Sequence, residues 1–165
     1  MADANTFEIS LAWPAAAGDA HPHPDAAYGR NSLLWAADKP PVSASAPPAH
    51  GGDAARYNPE ELLMLSLSQC HMLTFLAIAS KKRIPVLRYE DRATGLLGIT
   101  PADRAGGTPG KIAMQQVVLH PRVTVAKGFA DTDFSSIHEK AHANCFMANS
   151  VNFPVLVEAT VVEAD

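Results

Sequence analysis

The sequence predicts an α+β protein whose strands pair mostly antiparallel. Three observations carry this. Period-two apolar alternation marks both ends of the chain. A strongly capped apolar helix lies in the middle. The elements run strands, helix, strands, helix, strand, and that order excludes a regular βαβ repeat.

Thr6 to Trp13 reads as a first strand, with Phe7, Ile9, Leu11 and Trp13 alternating on one face. Pro14 to Pro24, rich in Ala, Pro and His, reads as a loop. A second strand is expected from about Arg30 to Ala37. Asp38 to Gly52 contains Pro40, Pro41, Pro47 and Pro48 and reads as extended or irregular. Asn58-Pro59-Glu60-Glu61 is the strongest local signal. Asn is a favoured N-cap, Pro suits the first helical position, and Glu61 stands where a capping box places its acid. The helix is expected to run to Lys81-Lys82-Arg83, cations that suit the negative helix end, and to stop before Pro85. Pro85 to Thr100 reads as strand bent at Gly95 and Gly98, and Pro101 to Gly110 as a turn region. Ile112 to Ala126 reads as a long strand with Pro121 at an edge or bulge. Asp131-Thr132-Asp133 opens a second helix predicted to reach about Ala148. Val155, Val157, Ala159 and Val161 alternate in a closing strand over Pro154 to Glu163.

The chain of 165 residues suits a single domain over 1–165. With 47% apolar and 18% charged residues it is not a disordered chain, and a net charge of -4 argues against nucleic-acid binding. Met1 to Leu11 has neither a basic start nor an apolar run, so a cytoplasmic location is expected. Ser66, Ser68, Gln69 and His71 interrupt the apolar stretch Leu62 to Ile78, which favours a buried helix over a membrane span. Two cysteines do not make a disulfide-stapled scaffold. In a reducing compartment two thiols point to redox or metal chemistry.

Cys70 lies mid-way along the first helix, where a lone cysteine is usually a small buried hydrophobe. The polar cluster around it is unusual in an otherwise apolar helix, because buried polar groups need partners. Cys145 follows His138 and His142 at spacings that would put all three on one helical face. A zinc site of the form His-x-x-x-His-x-x-Cys, completed by Cys70, is one reading; the absence of a Cys-x-x-Cys pair counts against it. His21 and His23, in a Pro-rich loop, read as solvated.

Asn58-Pro59-Glu60-Glu61-Leu62-Leu63 followed by Ser68-Gln69-Cys70-His71-Met72-Leu73 resembles the central helix of the OsmC/Ohr family, the osmotically inducible and organic hydroperoxide resistance proteins. Glu139 to Asn152, around Cys145, resembles the family's second cysteine segment. The likeness runs over roughly residues 6 to 164. It implies sheets packed around two central helices in an intertwined homodimer, and a thiol peroxidase that needs no metal, flavin or haem. Cys70 would attack the hydroperoxide and become a sulfenic acid, and Cys145 would condense with it to a disulfide. A dithiol reductant, dihydrolipoyl groups in the Ohr branch, would reopen the bond. A free thiol ionises near pH 8.5 and burial raises that value, so a cation is required. The family supplies an Arg held by the helix-start Glu. The matching positions are Arg30 and Glu60, with Arg56 the alternative cation. Glu60 and Cys70 lie about 15 Å apart along a helix rising about 1.5 Å per residue, which favours an Arg–Glu pair supplied by another subunit or by a fold-back at the helix start. The Pro-rich segment Lys39 to His50, Phe146 after Cys145, and His71 after Cys70 depart from the Ohr branch, so the peroxide and reductant are left open. Met72, Leu73, Phe75, Phe146 and Met147 are candidates to line an organic tail, or core. A metal-binding or thiol-sensing protein of the same fold, without efficient turnover, is the alternative.

Overall fold

A computed structural model describes residues 5–16, 28–100 and 110–164. His21, His23 and most of the loop expected over 14–24 and the turn expected over 101–110 lie outside them. The chain forms two compact units, Met1–Leu62 and Leu63–Asp165.

The first unit is a three-stranded antiparallel meander, β1 (Ser10–Ala12), β2 (Ser32–Trp35) and β3 (Val42–Ala44), in that spatial order. The first strand is much shorter than the alternation suggested, and Phe7, Ile9 and Leu11 stay exposed within the chain. The segment expected to be irregular contains β3. This three-residue strand fits between Pro41 and Pro47 because it is an edge strand, where missing N–H donors break no ladder. Beyond it, a short 3-10 turn (Pro48–His50) ends on Gly51 at φ 75, a left-handed conformation that glycine adopts without strain. Tyr57 N–H donates to Ser43 O and Ser45 N–H to Tyr57 O, leading the chain back to the first helix.

The helix α1 (Pro59–Lys81) starts in the first unit and continues in the second. Its capping box is complete: Glu61 N–H donates to Asn58 Oδ1 at 2.9 Å, and Asn58 N–H to Glu61 Oε2 at 3.1 Å. At the far end Ile84 N–H donates to Ala79 O and Arg83 N–H to Ser80 O, a Schellman closure with Arg83 at φ 58 where glycine is usual. The helix is apolar nearly all round, yet the chain buries only Leu67, His71, Phe75 and Ala79, one stripe at four-residue spacing. Among the described residues it is the one helix long and apolar enough to cross a membrane.

The second unit carries two three-stranded sheets, β4-β7-β9 and β5-β6-β8. Their strands are β4 (Val86–Glu90), β5 (Thr94–Ile99), β6 (Ile112–Leu119), β7 (Arg122–Val125), β8 (Val155–Val157) and β9 (Thr160–Glu163). Each stretch read from sequence as one strand is thus two, and the chain changes sheet at 91–93, 120–121 and 158–159. The ladders β4·β7 and β5·β6 are antiparallel, β6·β8 and β7·β9 parallel. Side chains tie the three corners in a row. Asp91 accepts from His120 N–H at 2.7 Å, and the His120 ring faces Glu158 at 3.4 Å. Ser68 of α1 donates to the same Asp91, which accounts for one of the polar residues in the apolar helix.

Each sheet has its own core. Phe75, Ala79, Val123 and Val125 pack with Phe134, Ile137 and Ala141 of α2 (Phe134–Ala143). Leu67, Val117, Leu119 and Val155 form the other, joined by Met64, Met114 and Met147. Asp133 caps α2 by accepting from Ser136 N–H. The helix stops five residues earlier than expected. Asn144 and Asn149 side-chain amides donate to Lys140 O and Ala143 O, so the last carbonyls are satisfied without another turn.

Candidate active site

The helix α1 presents Cys70 half-buried, and the segment after α2 presents Cys145 buried. Cys145 therefore lies beyond the helix rather than on a face shared with His138 and His142, and the predicted His-x-x-x-His-x-x-Cys face does not form. Three hydrogen bonds seat it. Its N–H donates to His142 O at 3.1 Å, and its carbonyl accepts from Asn149 N–H at 3.0 Å. Its sulfur accepts from Ala148 N–H at 3.4 Å.

The two cysteines are free thiols, close enough for Cys70 to act on the ionisation of Cys145. Burial pushes the Cys145 thiol up to about 11; nearby Cys70 pushes the same way, and the Ala148 N–H only partly offsets them. At neutral pH Cys145 keeps its proton and can donate it toward Cys70 Sγ.

His71, next to Cys70, points the other way, into the core. Its Nε2 meets Nδ1 of His138 at 3.0 Å, with ring planes inclined by 4°. Phe75 stacks on His138 at 4.4 Å between centroids. Burial holds both imidazoles neutral, with pKa about 4 for each; the charges of His138 and His142 lower His71 further. The outer nitrogens, His71 Nδ1 and His138 Nε2, have no partner. His138, Glu139 and His142 line a cleft of about 560 Å³ with Phe134, Val155 and Val161.

Sequence reasoning passed over the spacing His138-Glu139-Lys140-Ala141-His142, which has the His-Glu-x-x-His form of zinc proteases. The described residues do not complete it: no group of three potential ligands gathers anywhere among them.

The other expected site residues lie in the first unit. Arg30 lines a pocket of about 460 Å³ with Leu11, Trp13, Tyr28 and Ser45. Its guanidinium lies 4.5 Å from the centre of the Tyr28 ring and donates to the Tyr28 hydroxyl. Glu60, in the first turn of α1, has a buried Oε2 without a partner. Among the described residues Arg30 and Glu60 of one chain form no ion pair. Arg56 is engaged elsewhere, paired with Asp53 at 3.0 Å and donating to Ser43. Of the apolar candidates, Phe75 is core and Met147 packs against core, whereas Leu73 and Phe146 are exposed.

A family model described as OsmC-like protein matches residues 51–160, two thirds of the chain and both cysteine segments. The chain belongs to the OsmC-like family. This OsmC-like chain is 32% identical to a solved OsmC-like protein of unknown function from Vibrio cholerae, with a TM-score of 0.83 over 95% of this chain and 100% of that one. Two more distant structures share the fold. An organic hydroperoxide resistance protein OsmC from Legionella pneumophila is 20% identical, with a TM-score of 0.63 over 95% and 96% of the two chains. An organic hydroperoxide resistance protein from Elizabethkingia anophelis is 19% identical, with a TM-score of 0.64 over 99% and 100%. Among curated proteins none matches this OsmC-like chain. The α+β fold with mostly antiparallel sheets and two helices, expected from sequence, is that of these relatives.

Proposed function

We propose that this OsmC-like protein is a thiol peroxidase that reduces organic hydroperoxides through Cys70 and Cys145. The observation that carries the reading is the nearness of a half-buried thiol to a buried one that retains its proton. Cys70 thiolate attacks the distal peroxide oxygen; the O–O bond breaks, the alkoxide takes a proton and leaves as alcohol, and Cys70 becomes a sulfenic acid. Cys145 sulfur then attacks Cys70 sulfur, expelling water and forming the disulfide. An external dithiol returns both cysteines to thiols and leaves as its own disulfide. No step calls for a bound metal or organic cofactor. The hydroperoxide-resistance relatives support this substrate class, and the reaction belongs to oxidative-stress defence.

The working unit in this reading is a homodimer. One chain leaves Leu65 and Leu73 of α1 exposed, along with Phe7, Ile9 and Phe146, more apolar surface than a monomer usually presents. Glu60 holds a buried, unpaired carboxylate oxygen while Arg30 rests on Tyr28. An Arg30–Glu60 pair formed between subunits would satisfy both and bring a cation to Cys70.

The test is consumption of cumene hydroperoxide coupled to oxidation of dihydrolipoamide or dithiothreitol. Wild type is expected to turn over and Cys70→Ser to be inactive, while Cys145→Ser, given peroxide before any dithiol, consumes one equivalent and stops at a dimedone-reactive sulfenic acid. Equal rates for wild type and Cys70→Ser would sink the proposal.

A further inference from the structure

We infer that the hydrogen bond between His71 and His138 is a strut that sets the approach of Cys70 to Cys145, making these two histidines positioning residues for disulfide closure. The inference rests on the peroxidase reading above.

His71 follows Cys70 on α1, and His138 stands on α2, whose end carries Cys145. Their contact at 3.0 Å is the one side-chain hydrogen bond joining the two helices among the described residues. The remaining helix–helix contacts are the stacking of Phe75 on His138 and apolar packing of Phe75 and Ala79 against Phe134, Ile137 and Ala141. Apolar contacts are non-directional and tolerate a slide along the helix axis, whereas a hydrogen bond weakens steeply once its angle or length is lost. The strut therefore fixes the register that packing leaves loose. On the α2 side the fixation is passed on rigidly, because Cys145 is tied to the helix end by its own N–H to His142 O and by Asn149 N–H. On the α1 side Cys70 is one residue away on the same helix.

Register matters because a disulfide is geometrically strict. Its sulfurs must close to about 2.0 Å at a dihedral near 90°. A misplacement of the order of 1 Å costs up to about a hundredfold in effective concentration. Two buried polar rings with unpaired outer nitrogens are also a costly way to fill a core, which calls for a role beyond packing.

The test is the equilibrium of the protein dithiol with reduced and oxidised glutathione, with the 70–145 disulfide quantified by acid quench and mass spectrometry. Two substitutions separate hydrogen bond from packing. His138→Phe keeps the ring against Phe75 and removes the bond; His138→Asn gives up the ring but keeps an amide atom where Nδ1 stood. The effective glutathione concentration that supports the disulfide is expected to fall about tenfold in His138→Phe and to recover in His138→Asn. An unchanged equilibrium in His138→Phe overturns the strut while leaving the peroxidase reading intact, and so does a loss in His138→Asn as large as in His138→Phe. If wild type forms no 70–145 disulfide, strut and peroxidase reading fall together. Should His138→Phe not fold, His71→Leu against His71→Gln makes the same comparison from the other ring, since a Gln amide reaches where Nε2 stood.

Discussion

At the scale of single residues the most consequential side chains sit where a sequence cannot announce them. His71 and His138 are 67 positions apart and share one proton-bridged contact in the core. The reading of Ser66, Ser68, Gln69 and His71 as polar residues in need of partners was sound as a question. Its answers are a helix carbonyl, Asp91 and His138, with Gln69 left exposed. The histidine pair makes stability depend on pH in a defined direction. Both rings have pKa about 4 in the folded chain against about 6.5 when unfolded. The unfolded chain binds more protons between those values, so the contribution is complete above pH 6.5 and is lost as pH falls toward 4. The loss is expected to reach up to about 3 kcal/mol for each ring. Urea midpoints at pH 7.0, about 5.5 and about 4.5 should fall more steeply in wild type than in His138→Phe. Parallel curves would show that the pair does not titrate with folding.

At the scale of elements, local chemistry was readable wherever it is local. The N-terminus of α1 follows from Asn58 to Glu61 because every bond of the capping box lies within four residues. Asn58→Ala is expected to cost about 1 kcal/mol, read as a lower denaturant midpoint with unchanged slope. The other end of α1 offers the opposite change. Arg83 occupies a left-handed position closing the Schellman motif, so Arg83→Gly is expected to raise stability by about 0.5 kcal/mol in a thermal or urea melt. Strand boundaries were less readable, since the alternation in Ile112 to Ala126 runs unbroken through a corner at which only the hydrogen-bonding partners change. The early end of α2 was hidden for a similar reason. Asn144 and Asn149 cap it through side chains, and nothing in the apolar pattern marks the stop. That stop moves Cys145 off the helix and lets the Ala148 N–H reach its sulfur.

For the whole molecule, composition alone left the surroundings of α1 undetermined. An all-round apolar helix reads as buried, but this chain covers one stripe of it. If a second copy covers the rest, Leu65→Glu with Leu73→Glu should convert a particle of twice the 17.5 kDa chain mass to a single chain in light scattering. A monomeric wild type would remove the dimer from the proposal. The corners of the second unit bear on a different property. At 120–121 and 158–159 the two parallel neighbours turn from one sheet to the other together, and the turn is bonded through: Glu158 N–H donates to Leu119 O and Thr160 N–H to Pro121 O, both at 2.8 Å. Pro121 interrupts nothing there, because the corner asks it only for a carbonyl. The amide hydrogens of Glu158 and Thr160 should then resist exchange with deuterated solvent as long as those at strand centres, and both sheets should open to that solvent in one event.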